Sequence, residues 1–202
     1  PFGPDTRERT PLHLAVVNGQ HELVQALLRA GCDPNTRDQD GRTPLFAALE
    51  HGAEALPLIR ALIAYGANPE ATDANGETPL GLALEHPTLE HAAVSRWLDW
   101  RDWPRPNRAL RASDLPAAAA VGALATVQRL LELGFAVDTR DDQGATALLR
   151  ACGAGHRDTA SCLLEAGADP ALAANSGVTP LAAAVTARRD SLVALLLQHH
   201  VD

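Results

Sequence analysis

The chain has 202 residues, of which 46% are hydrophobic and 21% charged, a composition typical of globular proteins, and it has no apolar run of the roughly 18 residues that a membrane span needs. Its 17 Lys and Arg are outnumbered by 25 Asp and Glu, and this net charge of −8 without a basic cluster argues against a nucleic-acid partner. Aromatic residues make up only 3%, which favours closely packed helices over sheets.

A Thr-Pro-Leu triplet recurs along the chain and marks a repeat of roughly 33 to 35 residues. The triplet or a variant of it begins at six positions: Thr10, Thr43, Thr78, Ser113, Thr146 and Thr179. Thr followed by Pro predicts the start of a helix, because the hydroxyl caps free N–H groups and Pro at the first position loses no hydrogen bond. We therefore expect a short first helix in each of six repeats.

A second helix and a polar loop follow in each repeat. The spacing of Val24, Leu27 and Leu28, which recurs in later repeats, places these side chains on one face of a helix. Glycines such as Gly31 end this helix, because Gly adopts the left-handed conformation easily. An Asp-Pro or Asn-Pro pair then opens a turn that ends in another glycine, such as Gly41, which predicts a hairpin-like loop between repeats.

Together these motifs, Gly-x-Thr-Pro-Leu-His-x-Ala, Gly-His-x-x-x-Val-x-x-Leu-Leu and Gly-Ala-Asp-Pro, resemble the ankyrin repeat over residues 5–202. The resemblance implies an all-α fold with short β-hairpin loops, an ankyrin-repeat solenoid of about six helix-turn-helix repeats. We expect one domain over residues 1–202. Its repeats should lie near 5–37, 38–72, 73–107, 108–140, 141–173 and 174–202.

Residues 97–116 depart most from this pattern and hold the three tryptophans Trp97, Trp100 and Trp103. In one interpretation they fill the space left by missing glycines of the motif. In the other they form an aromatic contact site, because Trp is enriched in binding hot spots. We favour packing, since large aromatic side chains are commonly buried.

The sequence holds no strong catalytic or metal-binding motif. It has no lysine, which a phosphate-binding loop of the GxxxxGK[ST] type requires, and neither HExxH nor CxxC spacing occurs. Cys152 and His156 are close enough in sequence for a thiolate–imidazole pair, but their places in the repeat favour packing. We therefore predict a protein that is not an enzyme and has no cofactor or metal.

Two Glu-His pairs, Glu50-His51 and Glu85-His86, occupy the same position in adjacent repeats. Carboxylate and imidazole groups are metal ligands, so a metal site is one interpretation. We favour an acidic contact patch that responds to pH, because histidine titrates near neutrality.

The resemblance implies protein recognition through a concave surface built from hairpin tips and first helices. We predict a monomeric, non-catalytic scaffold for a protein partner of unknown identity. The predicted contacts lie at loop tips or on first helices: Arg7, Arg9, Gln39, Asp40, Arg42, Glu50, His51, Asn75, Glu77, Glu85, His86, Leu110 and Val121. Leu110 and Val121 would form an apolar centre within a charged rim. Charge reversal of Arg42 and Glu77 should weaken binding without changing thermal stability.

The alternative is a structural or targeting segment of a larger bacterial protein, secreted or effector, whose activity lies elsewhere. All 17 basic residues are Arg, and the many Ala, Gly and Pro codons are GC-rich, which indicates a bacterial source. Residues 192–197 are so apolar that we expect further chain or another subunit to cover them. The compartment stays open, with the cytoplasm favoured.

Overall fold

A computed structural model describes residues 7–85, 91–106 and 108–199. Within these ranges the regular structure is helical, apart from a single antiparallel bridge between Arg140 and Thr146. The helices are, in chain order, α1 (Pro11–Val17), α2 (His21–Arg29), α3 (Pro44–Leu49), α4 (Ala55–Ala64), α5 (Pro79–Glu85), α6 (His91–Leu98), α7 (Asp114–Ala120), α8 (Leu124–Glu132), α9 (Ala147–Ala154), α10 (Arg157–Glu165), α11 (Pro180–Thr186) and α12 (Asp190–His199). None of the helices in this part of the chain has the length and hydropathy of a membrane span.

The helices form consecutive pairs, from α1/α2 to α11/α12, one pair for each predicted repeat. As predicted, the motif threonine caps the first helix in several repeats: the Thr10 hydroxyl accepts from the His13 N–H at 3.4 Å, and the Thr179 hydroxyl accepts from the Ala182 N–H at 3.2 Å. Helices of this length are marginal in isolation, so their stability comes from packing against neighbours.

One alanine position on the first helices explains how the pairs stack closely. The fifth residue after each Thr or Ser of the motif is alanine in all six repeats, and each side chain is at most 1% exposed. These alanines are Ala15, Ala48, Ala83, Ala118, Ala151 and Ala184. Because alanine ends at Cβ, neighbouring first helices within each unit approach closely there, and a larger side chain would force them apart.

The loops between repeats are closed turns rather than strands. In four of them the N–H of one residue donates to the carbonyl four positions later, and the pairs are Asp38–Arg42, Asp73–Glu77, Asp141–Ala145 and Ala174–Val178. The loops are therefore hairpin-like, as predicted, but the expected β-hairpins are reduced in the described residues to the one bridge at Arg140.

The chain divides into two compact units. Unit 1 comprises Pro1–Trp100 and Arg105–Leu110, and unit 2 comprises Arg101–Pro104 and Arg111–Asp202. The single domain predicted over residues 1–202 stays a prediction.

In unit 1 the core lies between the helices of each pair, with Phe46 and Leu58 almost fully buried. The tryptophan side chains of the irregular last segment of unit 1 are buried instead of extending into solvent. Trp97 and Trp100 are 3% and 4% exposed, and the Trp100 indole N–H donates to the Trp97 carbonyl at 2.8 Å. Arg105 lies over the Trp100 ring and donates to the carbonyls of Ile63 and Ala67, so it caps the end of α4. The packing interpretation of these tryptophans is confirmed.

In unit 2 the core again lies between paired helices, with Leu148 and Leu196 fully buried. The side chain of Asp102 caps the N-terminal end of α8. Its carboxylate accepts from the backbone N–H of Thr126 at 2.9 Å and from the Thr126 hydroxyl at 2.8 Å. Trp103 beside it is 7% exposed and also packs.

Candidate functional site

A groove in unit 1 is formed by two successive interrepeat loops and the first helices that follow them. We call it the charged groove, and it is lined by Arg7, Arg9, His13, Asp38, Asp40, Arg42, Thr43, Ala47 and Glu50. Five of the predicted contact residues therefore lie together: Arg7, Arg9, Asp40, Arg42 and Glu50.

Aspartate side chains shape the loops that border this groove. Oδ1 of Asp38 accepts from the backbone N–H groups of Asp40 and Arg42, at 3.0 and 2.9 Å. Gly41 has φ +73°, and a Cβ added there would come within 2.9 Å of the Ala74 nitrogen. The turn thus requires glycine, and it holds the tip residues in fixed positions.

Successive loops are joined to one another by backbone hydrogen bonds. Gln39 N–H donates to the Arg7 carbonyl at 3.0 Å, and Ala74 N–H donates to the Asp40 carbonyl at 2.9 Å. The side chains of Gln39 and Asp40 stay exposed, as do those of Asn75 and Glu77 on the next tip. The tips are therefore ordered before any partner arrives.

The arginines around the groove are used within the protein. Nε of Arg42 lies 3.3 Å from Oδ2 of Asp73, and Nε of Arg9 lies 4.0 Å from Oδ2 of Asp38. Burial of Asp73 disfavours its charged form, but hydrogen bonds from the Asn75 and Glu77 N–H groups and from Arg42 outweigh burial and lower its pKa.

This pairing corrects one expectation. Arg42 was predicted to tolerate charge reversal, but a glutamate there would face the carboxylate of Asp73, whose side chain is only 1% exposed. Glu77 remains a suitable position, because only its backbone groups bond to Asp73.

Three carboxylates, those of Asp40 and Glu50 in the groove and of Glu77 on the next loop, are not paired in this way. Asp40, Glu50 and Glu77 are exposed, and no described residue forms an ion pair or hydrogen bond with these side-chain carboxylates. At the groove, unit 1 therefore offers the exposed carboxylates of Asp40 and Glu50 to solvent, beside Arg7, which is also exposed.

Thr43 is a functional candidate that the sequence analysis missed. Its side chain lines the charged groove, the residue is 1% exposed, and its hydroxyl has no hydrogen-bond partner among the described residues. The other motif threonines cap their helices, but at α3 the Phe46 N–H donates to the Thr43 carbonyl at 3.0 Å instead. An unpartnered buried hydroxyl destabilises a fold, so this site departs from the pattern.

His51 serves the fold rather than the exposed surface. Its Nε2 lies 2.6 Å from the Val16 carbonyl at the end of α1, so the half-buried ring joins α3 to α1. In unit 2, Nε2 of His156 makes the same kind of contact with the Ala120 carbonyl at 3.2 Å. The contact role predicted for His51 is untested, but this ring is already engaged.

Two of the remaining predicted contacts lie elsewhere, and two fall outside the description. Leu110 is wrong as a tip residue: it is 8% exposed, and its N–H donates to the Ala64 carbonyl at 3.0 Å in unit 1. Val121, in unit 2, is 56% exposed. His86 and the Glu85 side chain lie outside the described residues.

Among the residues that the structure describes, no group of three or more His, Cys, Asp and Glu side chains is placed to hold a metal ion. The metal alternative also involves His86 and the Glu85 side chain, which lie outside the described residues, so it stays a prediction. Burial raises the pKa of the Cys152 thiol to about 12, so the thiolate that nucleophilic attack needs is not formed near neutral pH.

Comparison with known proteins agrees with this architecture. The family described as Ankyrin repeats (3 copies) matches residues 12–98 and 115–202. NF-kappa-B inhibitor alpha of Sus scrofa is 56% identical over 48 residues, which are 24% of this chain and 15% of that protein. The human protein of that name matches equally. Ankyrin repeat and KH domain-containing protein mask-1 of Caenorhabditis elegans is 33% identical over 180 residues, 89% of this chain and 6% of that protein.

This chain therefore corresponds to a small part of each of these relatives. The family match covers both units and includes every first helix, except for the first residue of α1 and of α7. The chain belongs to the ankyrin-repeat family, with an all-α solenoid of about six repeats, and repeats of this family generally mediate contacts between proteins.

Proposed function

We propose that this chain is a non-catalytic scaffold that binds a protein partner through the loop tips and first helices of its repeats. The charged groove of unit 1 is its main contact surface. The observation that carries the proposal is the set of exposed carboxylates of Asp40, Glu50 and Glu77 on pre-ordered elements, while the neighbouring Arg42 and Arg9 are paired inside the protein.

This arrangement favours a basic segment of the partner. A peptide with Arg or Lys side chains would find carboxylates that have no internal partner, whereas an acidic peptide would be repelled by them and by the net charge of −8. Such rim charges raise association rates and set specificity, and their effect weakens as salt is added.

The fixed loops also favour binding. Because Asp38 and Asp73 hold the tips through backbone hydrogen bonds, little conformational freedom is lost when a partner docks.

The relatives support a binding role without identifying the partner. NF-kappa-B inhibitor alpha is, by its name, an inhibitor of NF-kappa-B. The relatives reported above are from eukaryotes, so a bacterial source and a place within a larger bacterial protein stay predictions, as do the monomeric state and the cytoplasmic location.

The test uses peptides of random sequence, about 12 residues long, displayed on phage and selected against the whole chain at about 0.05 M NaCl. We expect the recovered peptides to be rich in Arg and Lys. Their affinity should fall on the order of tenfold for the double variant Asp40→Arg/Glu50→Arg, because like charges then face each other.

The matched control is Glu54→Arg/Glu70→Arg, which makes the same charge change at exposed positions of unit 1 outside the groove. Equal losses in the two double variants would mean that net charge rather than the groove governs binding, and the proposal would fail. Recovery of acidic peptides would also contradict it.

A further inference from the structure

A second groove lies in unit 2, between the loops that precede α9 and α11. We call it the apolar groove, and its cavity of about 470 Å³ falls within the range of ligand pockets. It is lined by Gln143, Ala145, Leu149, Arg150, Ala174, Asn175, Ser176 and Val178.

The apolar side chains of this groove are placed where unit 1 carries charge. Ala145 and Val178 precede the motif threonines of their repeats, as Arg42 and Glu77 do in unit 1. Val178 is 39% exposed and lines the cavity. The groove thus offers apolar surface that a partner side chain would cover.

Arg150 is the single charged residue in the lining, and it is held in place. Its Nε and Nη2 lie 2.8 and 2.6 Å from Oδ2 of Asp141, and Nη2 also donates to Oε1 of Gln143 at 3.0 Å. Burial of Asp141 disfavours its charged form, but the hydrogen bonds from Arg150, Ala145 and Gln143 outweigh burial and lower its pKa.

The ion pair between Arg150 and Asp141 determines which chemical groups of a partner suit the apolar groove. Asp141 stays ionised near neutral pH and balances the charge of Arg150, so the groove is close to neutral. Among the described residues no hydrogen bond uses Nη1 of Arg150, so one N–H donor edge remains available. A neutral carbonyl suits this donor better than a second carboxylate, which Asp141 would repel.

We propose that the apolar groove is a second docking site, which takes an extended, uncharged peptide segment. One apolar side chain of the segment lies against Leu149 and Val178, and a backbone carbonyl accepts from Nη1 of Arg150. The inference rests on the proposed function, since it assumes that this chain binds proteins, but it concerns a different unit and different forces.

The experiment repeats the phage selection with the whole chain at about 0.5 M NaCl, where exposed charge pairs are screened. We expect uncharged peptides with one large apolar residue. Their affinity, measured by fluorescence polarisation of the synthetic peptide, should fall at least about tenfold for Val178→Asp and also for Ser176→Arg, which fills the groove from an exposed position.

Val185→Asp is the matched control, because Val185 is 56% exposed in the same repeat but does not line the groove. Circular dichroism and thermal melting establish that all three variants are folded. Loss of binding in the two groove variants but not in Val185→Asp supports the inference.

Three results would overturn it: no peptide recovered at high salt, charged peptides recovered there, or equal losses in Val178→Asp and Val185→Asp. These outcomes are separate from failure of the proposed function. Low-salt peptides that respond to Asp40→Arg/Glu50→Arg but not to Val178→Asp would leave the charged groove in place and remove the apolar one.

Discussion

The two units use the same scaffold to present different surfaces. The position before the motif threonine or serine is charged in unit 1 and apolar in unit 2, with Arg9, Arg42 and Glu77 against Ala112, Ala145 and Val178. The buried alanine of the first helices does not change in this way, because it is present in every repeat of both units. A fully buried leucine two positions after the motif threonine also occurs in each unit, as Leu45 and Leu148. Surface chemistry therefore varies independently of the repeat.

The loops show the same contrast in their ion pairs. In unit 1, Arg42 pairs with Asp73 of the next loop, whereas in unit 2, Arg150 pairs with Asp141 of the loop of its own repeat. The first pair joins successive repeats, and the second holds one arginine beside a groove. The loop aspartates of the two units thus pair with arginines at different positions of the repeat, one on a loop and one on α9.

The largest expected effect tests whether the buried cores of the two units are packed in the same way. Leu45 and Leu148 occupy the same position in α3 and α9, and both are fully buried. Leu45→Ala and Leu148→Ala should each lower the free energy of unfolding by about 2–5 kcal/mol, because each leaves a cavity. Urea denaturation followed by circular dichroism measures both, and a near-neutral result for either would show that the units pack differently.

The next largest effect distinguishes Arg42, whose charge is paired with Asp73, from Glu77, whose side chain is exposed. Arg42→Glu should lower the free energy of unfolding by about 1–2 kcal/mol, because it sets two carboxylates against each other at a site about one-third exposed. Glu77→Arg should stay within about 0.5 kcal/mol of the wild type. If thermal melting finds the two variants equally stable, the ion pair between Arg42 and Asp73 does not contribute to the stability of the fold.

A smaller effect, of opposite sign in the two units, comes from the motif threonines. Thr43→Val should raise the free energy of unfolding by about 1 kcal/mol, because it removes a buried hydroxyl without a partner. Thr146→Val should lower it by about 1 kcal/mol, because the Thr146 hydroxyl caps α9 through the Leu149 N–H. If urea denaturation finds that both variants change the free energy of unfolding in the same direction, the difference between Thr43 and Thr146 is wrong.

The smallest effect is a dependence on pH that both units should share. The pKa values of Asp73 and Asp141 are lowered in the folded protein, below the usual value of about 3.9 for the unfolded chain. The unfolded chain therefore binds more protons as the pH falls, so this stabilisation is complete above about pH 5 and is lost as the pH falls towards the folded pKa values.

Urea denaturation of Asp73→Asn and Asp141→Asn at several pH values checks this expectation. Each variant should be less stable than the wild type at neutral pH, and its stability should fall less steeply in acid. A variant with the full wild-type acid dependence would show that its aspartate does not contribute.

The sequence predicts the repeat and its helix starts because each depends on residues close together in the chain. Pro11 and Thr10, for instance, contain the whole signal for the start of α1. The predicted tips Asp40 and Glu77 are exposed for the same reason, since the turn chemistry of each loop is local.

The rest depends on contacts between positions about one repeat apart. The pairing of Arg42 with Asp73, the contact of His51 with the Val16 carbonyl and the burial of Leu110 against α4 are not contained in any local pattern. In the sequence Thr43 cannot be told from the other motif threonines. Only the tight first turn of α3 shows that its hydroxyl does not cap the helix. The apolar groove likewise requires Ala145 and Val178 of successive repeats to be brought together.

The central claim, that the two units carry chemically distinct binding surfaces, is tested most directly by the salt dependence of peptide binding in one variant from each unit. Fluorescence polarisation would compare wild type, Asp40→Arg/Glu50→Arg and Val178→Asp at about 0.05 and 0.5 M NaCl. The account predicts that the first variant loses the basic, salt-sensitive peptides and the second loses the uncharged, salt-insensitive ones. A single class of peptide that both variants weaken equally would contradict it.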